Sequence, residues 1–317
     1  MSVDIYGAGA IIWRQRGRAV EVLLVHRPTW KDWSFPKGKV KGKETLQECC
    51  LREMKEETGY DVVLGAPLGA QRYTVAGRKT KKVRYWAATV APAEHPALAV
   101  RRKAARASAK EIDDVRWVSV AQARALLSHP NDRELLELLA KRDADGLLRT
   151  TPVLIVRHAR SVKRSVHAGS ETTRPLTKTG KTRAKRLVGV LSGYGVVNIV
   201  SSPWKRCRDT VAPYALASGQ DVYMCAALTE AAHEEAPHAA AGVVNNVIRR
   251  GVPTAVCVHR PTLPTLVAEL AAFTPHPLRR KLPAKDPWLK TGQILIAHVA
   301  DRGGQRVVAY EQVRPAL

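Results

Sequence analysis

Acidic residues are scarce in this chain of 317 residues: 28 Asp and Glu stand against 52 Lys and Arg, a formal net charge of +24 at pH 7. Long apolar runs are missing too. Hydrophobic residues make up 45% of the sequence, yet no run reaches the ~18 residues of a membrane-spanning helix, so a soluble protein with no membrane partner is expected. The N-terminal MSVDIYGAGAIIW has neither a basic n-region nor a small-residue cleavage site, which argues against secretion. The five cysteines, with Cys49 and Cys50 adjacent, show neither a paired framework nor metal-ligand spacing. They read as buried, reduced thiols of a cytoplasmic protein. Internal repeats and low-complexity segments are also absent.

The basic excess is spread along the chain. Residues 1–142 hold 27 Lys and Arg against 16 Asp and Glu (+11), and the remainder 25 against 12 (+13). A basic tail is thereby excluded, and both halves are suited to meeting anions: nucleic acid, a membrane surface or small polyphosphates. The plain alternative is a compositional bias toward arginine on solvated faces.

A single core seldom grows past about 250 residues, so two domains are expected. The first, residues 1–142, mixes strands (GAGAIIW, VEVLLVHR, RYWAATVA, DVRWVSV) with helices around Glu44 to Thr58 and Ala121 to Leu139, an α+β pattern. RRKAARASAK, small and basic, reads as a mobile loop, and residues 143–151 as a linker. In residues 152–317 buried strands (VLIVRHA, VNIVSS, DVYMCAAL, TAVCVHR) alternate with helices around Lys178 to Ser192, from Trp204, and around Ala239 to Arg250. That rhythm implies an α/β domain of three layers with a mainly parallel sheet, whose ligands sit at the carboxyl ends of strands.

GKVKGKETLQECCLREMKEETGY, Gly38 to Tyr60, holds the first candidate site. At about 100° per residue from Leu46, Cys50 falls near 40°, Met54 near 80° and Cys49 near −60°. On the same scale Glu53 falls near −20°, Glu57 near 20° and Glu56 near −80°, so the carboxylates overlap the apolar stripe. Burying one unpaired carboxylate costs several kcal/mol, and like charges within a turn add to it. Either Arg52 and Lys55 neutralise them at the edge of an ordinary amphipathic helix, or a hard divalent cation does.

Gly38, five residues, Glu44, seven residues, Arg52-Glu53-Met54, one residue, Glu56-Glu57, one residue and Gly59-Tyr60 together resemble the Nudix box at every defined position. The resemblance implies a mixed sheet with a loop-helix-loop that binds Mg²⁺, or Mn²⁺ in its place, against the diphosphate of a nucleotide. It makes Glu53, Glu56 and Glu57 the metal carboxylates, with the Gly38 carbonyl a further ligand and Arg52 orienting the glutamates. Glu53, or an acid outside the box such as Glu111, would deprotonate the attacking water; Glu111, Asp113 and Asp114 equally suit a strand cap. Pro36-Lys37-Gly38 and KKVRYWAA resemble dinucleoside polyphosphate hydrolases, which implies that Lys37, Lys39 and Lys43 face polyphosphate and that Tyr85 stacks on a purine, against simple packing of Tyr85. The MutT type, acting on oxidised purine nucleoside triphosphates such as 8-oxo-dGTP and 8-oxo-GTP in nucleotide-pool sanitation and DNA repair, fits the box equally.

In the second half Arg157-His158, Arg206, Glu230 and His259 each follow a predicted strand in turn. Together they resemble the histidine phosphatase superfamily. The resemblance implies His158 as a nucleophile forming a phosphohistidine, Arg157, Arg206 and His259 as a positive phosphoryl pocket, and Glu230 as leaving-group acid, with Glu234 or Glu235 as alternatives. Two departures stand out: Ala159 and Arg260 occupy positions where the superfamily has glycine after each histidine. The Ala159 methyl is expected to restrict the turn or reshape the pocket.

The order of the two halves resembles a two-domain, MutT-type protein of actinobacteria. A Mg²⁺-dependent nucleotide hydrolase with a second phosphatase site is the leading expectation, with a nucleotide polyphosphate as partner. Self-association through domain-domain contact is allowed for. Two alternatives remain at this stage: a diadenosine polyphosphate hydrolase whose second domain only binds or regulates, and a nucleic-acid-binding or RNA-end-processing protein using RRKAARASAK as a phosphate-tracking surface, nucleic acid being the less expected partner.

Overall fold

The computed structural model describes residues 3–317, which fall into two units. One runs through His95 and resumes at Arg102–Arg149; the other takes Pro96–Arg101 and Thr150–Leu317.

The first unit follows the order β1 (Ile5–Arg16), β2 (Ala19–Arg27), β3 (Asp32–Ser34), β4 (Lys37–Lys39), α1 (Leu46–Thr58), β5 (Val62–Val75), β6 (Lys79–Val90), β7 (Asp114–Ser119), α2 (Val120–Leu126) and α3 (Pro130–Ala144). Its mixed sheet has the order β3-β2-β1-β6-β5, with β4 on β1 and β7 on β2, and β1 is parallel to β6. Glycines in β1 let β4 lie close. A Cβ on Gly7 would stand 2.6 Å from the Gly38 carbonyl oxygen, and one on Gly9 2.6 Å from that of Pro36, so larger residues there would push away the strand that leads to α1.

Sequence chemistry fixes both ends of α1. Thr45 caps its N-terminus in a reciprocal box: the Glu48 N–H donates to Thr45 Oγ1 at 3.1 Å, and the Thr45 N–H to Glu48 Oε2 at 2.8 Å. Gly59 ends it at φ 78°, its N–H donating to the Lys55 carbonyl. Three expectations need correction. The helix expected over Ala121 to Leu139 is two, because Pro130 starts α3 and holds His129 extended. The 14-residue strand β5 escaped the pattern because its register shifts twice, around Pro67 and Gly69. RRKAARASAK is irregular but tethered: Arg101 donates to the Ser192 hydroxyl and carbonyl at 3.0 Å each, and the Ala107 N–H to the Glu56 carbonyl at 2.7 Å.

The second unit contains β8 (Thr151–Arg157), α4 (Lys178–Gly193), β9 (Asn198–Ser201), α5 (Lys205–Ser218), β10 (Val222–Met224), α6 (Glu230–Glu235), α7 (Pro237–Arg250), β11 (Thr254–Val258), α8 (Leu263–Ala272), α9 (His276–Arg279), β12 (Ile294–Asp301) and β13 (Gln305–Val313). Its sheet runs β10-β9-β11-β8-β12-β13, parallel through β8 and antiparallel for the last two strands. DVYMCAAL forms only the short β10 before a single helical turn. The central strands are the apolar ones: every residue of β11 is buried, and Val153, Ile155, Val256 and Val258 join one core with Leu266 and Leu270. Because β8 and β11 pair in parallel, with Val258 opposite Arg157, the residues following them are neighbours.

Removing the cap at α1 tests how far local chemistry holds the carboxylate helix. Thr45→Ala is expected to lower the stability of the first unit by about 1 kcal/mol, read as a shift in its denaturant midpoint; an unmoved midpoint would mean that packing alone sets the helix start.

Candidate functional sites

The inward side of α1 buries Glu53 and Glu57 among Cys49, Cys50 and Met54. Arg52 is the hub of the cluster. Its Nε donates to Glu44 Oε1 at 2.7 Å, one terminal nitrogen lies 2.6 Å from Glu53 Oε1 and 2.9 Å from Glu56 Oε2, and the other donates to the Lys39 carbonyl at 2.9 Å. Glu56 also lies 3.4 Å from Lys41 Nζ. Glu57 has no such cation. It accepts the Lys37 N–H at 2.9 Å, and burial, reinforced by the charges of Glu53 and Glu111, pushes its carboxyl up to about 8. Burial likewise raises Glu53 despite Arg52.

Among the described residues no three of His, Cys, Asp or Glu stand close enough to hold a metal ion without side-chain movement. The donor set nevertheless fits a hard divalent cation. Burial raises the carboxyls of Glu53 and Glu57 even with Arg52 beside the first and Lys37 near the second, and Gly38 lies so close that a Cβ on it would stand 1.9 Å from the Glu53 carboxyl carbon. Glu53, Glu56 and Glu57 would hold the ion; the Gly38 carbonyl, the further ligand expected from the sequence, lies 3.8 Å from Cys49 Sγ.

The other residues singled out in the sequence are placed unequally. Glu111 is exposed, within electrostatic reach of Glu57. Lys39 and Lys43 are exposed, while Lys37 Nζ turns inward to the Ser34 hydroxyl (3.1 Å) and Phe35 carbonyl (3.3 Å), and burial lowers its pKa. Tyr85 is fully buried, so its ring has no open face for a purine; its hydroxyl donates to Gln71 Oε1 at 3.2 Å. Gln71 Nε2 in turn donates to Asp132 Oδ1 at 2.6 Å, and Asp132 Oδ2, buried, has no partner. Nothing local marks Asp132 beyond its place in the first turn of α3; the relay joins positions far apart in sequence.

In the second unit the β8–β11 register brings His158 and His259 together, ring centroids 5.5 Å apart. His158 Nδ1 lies 2.8 Å from the Ala159 carbonyl and donates to it, which leaves the Nε2 lone pair available. Burial and the charges of His259, Arg206 and Arg157 hold His158 well below the usual imidazole range, so it is neutral near pH 7. The Ala159 N–H donates to Thr210 Oγ1 at 2.9 Å, and the Ala159 side chain packs with Leu176 and Ala184. The extra methyl therefore joins a small apolar cluster.

Arg206 is fully buried. It lies 2.7 Å from Glu230 Oε1 and donates to the Glu171 carbonyl at 2.8 Å. Arg157 donates to the carbonyls of Leu289 (2.5 Å) and Pro287 (3.5 Å). The Nε atoms of both arginines are buried without partners, an arrangement that an anion would satisfy. His259 lies 2.8 Å from the Ser202 hydroxyl and 3.3 Å from Glu230. Burial lowers its pKa, and Cys207 and Glu230 more than offset that. Glu230 needs a correction. Burial would raise its carboxyl, but His259 and Arg206 outweigh burial and pull it down to about 2, so as found it is a counter-ion and not a proton donor. Glu171, Ser202 and Thr210 were missed in the sequence, since only tertiary packing brings them here.

The raised carboxyl of Glu57 gives a pH dependence of defined sign. Between about 4.5, its ordinary value, and about 8 the folded protein keeps a proton that the unfolded chain has released, so stability falls as pH rises through that window. Thermal melts in chelator at pH 5 to 8.5 should show this decline, reduced in Glu57→Gln and by millimolar Mg²⁺ in the wild type. Equal slopes in all three would contradict it.

Comparison with known proteins agrees with this division. The NUDIX domain family model matches residues 5–139, and that of the histidine phosphatase superfamily (branch 1) matches residues 153–239. The chain is 32% identical over 272 residues to an 8-oxo-(d)GTP phosphatase of Mycolicibacterium smegmatis, covering 83% of this chain and 80% of that protein. A shorter match, 41% over 49 residues, is to a putative 8-oxo-dGTP diphosphatase of Bacillus subtilis, covering 16% of this chain and 33% of that protein. Among solved structures, a Caenorhabditis elegans Ap4A hydrolase is 22% identical with a TM-score of 0.38, covering 45% of this chain and 99% of its own. A putative phosphohistidine phosphatase SixA from Agrobacterium tumefaciens is 20% identical with a TM-score of 0.39, covering 52% of this chain and 99% of its own. The chain belongs to the family of two-domain proteins in which a Nudix domain is followed by a histidine phosphatase domain, and it is an enzyme of the phosphatase and pyrophosphohydrolase class.

Proposed function

We propose that the first unit hydrolyses a phosphoanhydride bond of purine nucleotides with Mg²⁺, acting on oxidised triphosphates such as 8-oxo-dGTP and 8-oxo-GTP and also on dinucleoside polyphosphates, and that the second removes a phosphoryl group through a phosphohistidine. The observation that carries the first half is the buried carboxylate set of α1 around Arg52, with the carboxyls of Glu53 and Glu57 raised by burial. A divalent ion, when bound, supplies charge against the substrate phosphates and lowers the pKa of water. The chain's own part is orientation and proton transfer. Arg52 fixes Glu53 and Glu56, and Glu53, raised by burial, is poised to take the proton of the attacking water; Glu111, near Glu57, is the other candidate base. Asp132, held through Oδ1 by Gln71 Nε2 and with a buried Oδ2 that lacks a partner, is suited to accept an N–H of the base at that oxygen. The oxidised-purine reading is supported by the likeness to the 8-oxo-(d)GTP phosphatase across most of both chains. The dinucleoside reading is supported by Lys39, exposed at the end of β4, and Lys43, exposed on the loop that follows before α1.

At the second site the His158 Nε2 lone pair attacks phosphorus while Arg157, Arg206 and His259 hold the equatorial oxygens; the P–O bond to the leaving group breaks, that group departs with the electron pair, and water then splits the N–P bond to release inorganic phosphate. A cytoplasmic setting is part of the proposal, in keeping with five cysteines that form no disulfide.

A panel of 8-oxo-dGTP, dGTP and diadenosine polyphosphates, with products identified by mass, separates the two sites. Glu56→Gln should lower anhydride cleavage about a hundredfold or more, in line with the loss of an electrostatic catalytic group, and His158→Ala should abolish the phosphoenzyme while retaining that cleavage. A wild type that leaves every compound intact with Mg²⁺ would refute the reading.

A further inference from the structure

Arg260, which directly follows His259, stands where the histidine phosphatase superfamily has glycine, and the structure shows what surrounds it. Its Nε lies 2.7 Å from Asp286 Oδ1, a terminal nitrogen contacts Asp286 Oδ2, and both side chains are about half exposed, 53% and 55%. The pair flanks the phosphoryl pocket. Asp286 adjoins Pro287, whose carbonyl, with that of Leu289, takes the hydrogen bonds of Arg157. The charges of Arg260 and Asp286 both act on Arg157. One phosphoryl group already has Arg157, Arg206 and His259, so Arg260 is a further cation at the rim, neutralised in the resting state by a carboxylate that solvent reaches.

The state of the acid is a second, independent observation. Glu230 is engaged by Arg206 at 2.7 Å and lies 3.3 Å from His259, two cations that favour its carboxylate over its protonated acid. An alkyl phosphate monoester needs that proton, because its leaving group is an alkoxide. A phosphoanhydride does not, because its leaving group is a phosphate, already stable as an anion. From the rim cation and the engaged acid together, we infer that the second site takes diphosphate-terminated substrates, such as nucleoside diphosphates, with Arg260 exchanging Asp286 for the phosphate next to the one transferred.

The step balances without a co-reactant beyond water. His158 Nε2 bonds to the terminal phosphorus, the bond from that phosphorus to the bridging oxygen breaks, and the nucleoside monophosphate leaves with the electron pair. Water then cleaves the N–P bond and gives inorganic phosphate. Arg260 is a specificity residue in this scheme, binding an oxygen that does not react.

The inference rests on the phosphohistidine reading of this site, so the test measures the His158-dependent rate, wild type minus His158→Ala, on GDP and on p-nitrophenyl phosphate. Both have leaving groups that need no acid; only GDP has a second phosphate. Charge-assisted hydrogen bonds predict a ten- to hundredfold fall in the GDP to p-nitrophenyl phosphate ratio of kcat/KM for Arg260→Gly, carried mainly by KM. Asp286→Asn, which releases Arg260, should raise the same ratio, and Arg260→Lys should recover part of it. Ratios within twofold of wild type in Arg260→Gly and Asp286→Asn would overturn the role of Arg260 while leaving the phosphatase reading in place; if one variant fails to fold, the other decides. A wild type with no His158-dependent turnover of either compound would remove that reading and this inference with it.

Discussion

Both sites depend on charge that folding has placed where water cannot neutralise it. In the first unit the constraint centres on one guanidinium. Arg52 is shared among Glu44, Glu53, Glu56 and the Lys39 carbonyl, and it offsets part of the repulsion that would otherwise oppose burying carboxylates on one helix face. It does not reach Glu57, which is left with a backbone N–H and a carboxyl raised toward neutrality.

The second unit has the opposite sign. Two arginines with unpartnered buried Nε atoms and two histidines converge at the ends of β8 and β11 and at the start of α5. Protein carboxylates, Glu171 and Glu230, supply the counter-charge. Such a pocket is built for an anion, and the neutral His158 beside it has its lone pair fixed by one hydrogen bond to the next residue's carbonyl. The strand register makes this geometry: a slip of one residue between β8 and β11 would turn one histidine to the other face of the sheet.

The helix that carries Glu53, Glu56 and Glu57 was legible in the sequence because its signals are local: Thr45 and Glu48 at capping-box spacing, glycine at position 59, and charges falling on an apolar stripe. The strand-end residues of the second unit were legible because continuous apolar runs announce buried parallel strands. β5 was not, since its bulges at Pro67 and Gly69 break the alternation that identifies a strand. Nothing in KKVRYWAA says which face of β6 is covered, and the side taken by Tyr85 is filled by Gln71 and the core, so stacking on a purine gives way to packing. Asp132, Glu171 and Ser202 act through partners 61, 35 and 57 residues away, and no pattern of short range can report such pairings.

By itself the sequence determined the helix α1, the buried central strands of the second unit and the chemical groups they carry, because capping, glycine geometry and apolar periodicity act within a few residues along the chain. Only the tertiary structure decided the protonation and availability of those groups: Glu57 raised, Glu230 lowered, His158 neutral and Tyr85 enclosed. The reason is physical. Desolvation and Coulomb interaction depend on what lies within a few ångströms in space, and that set of neighbours is assembled from segments far apart in sequence.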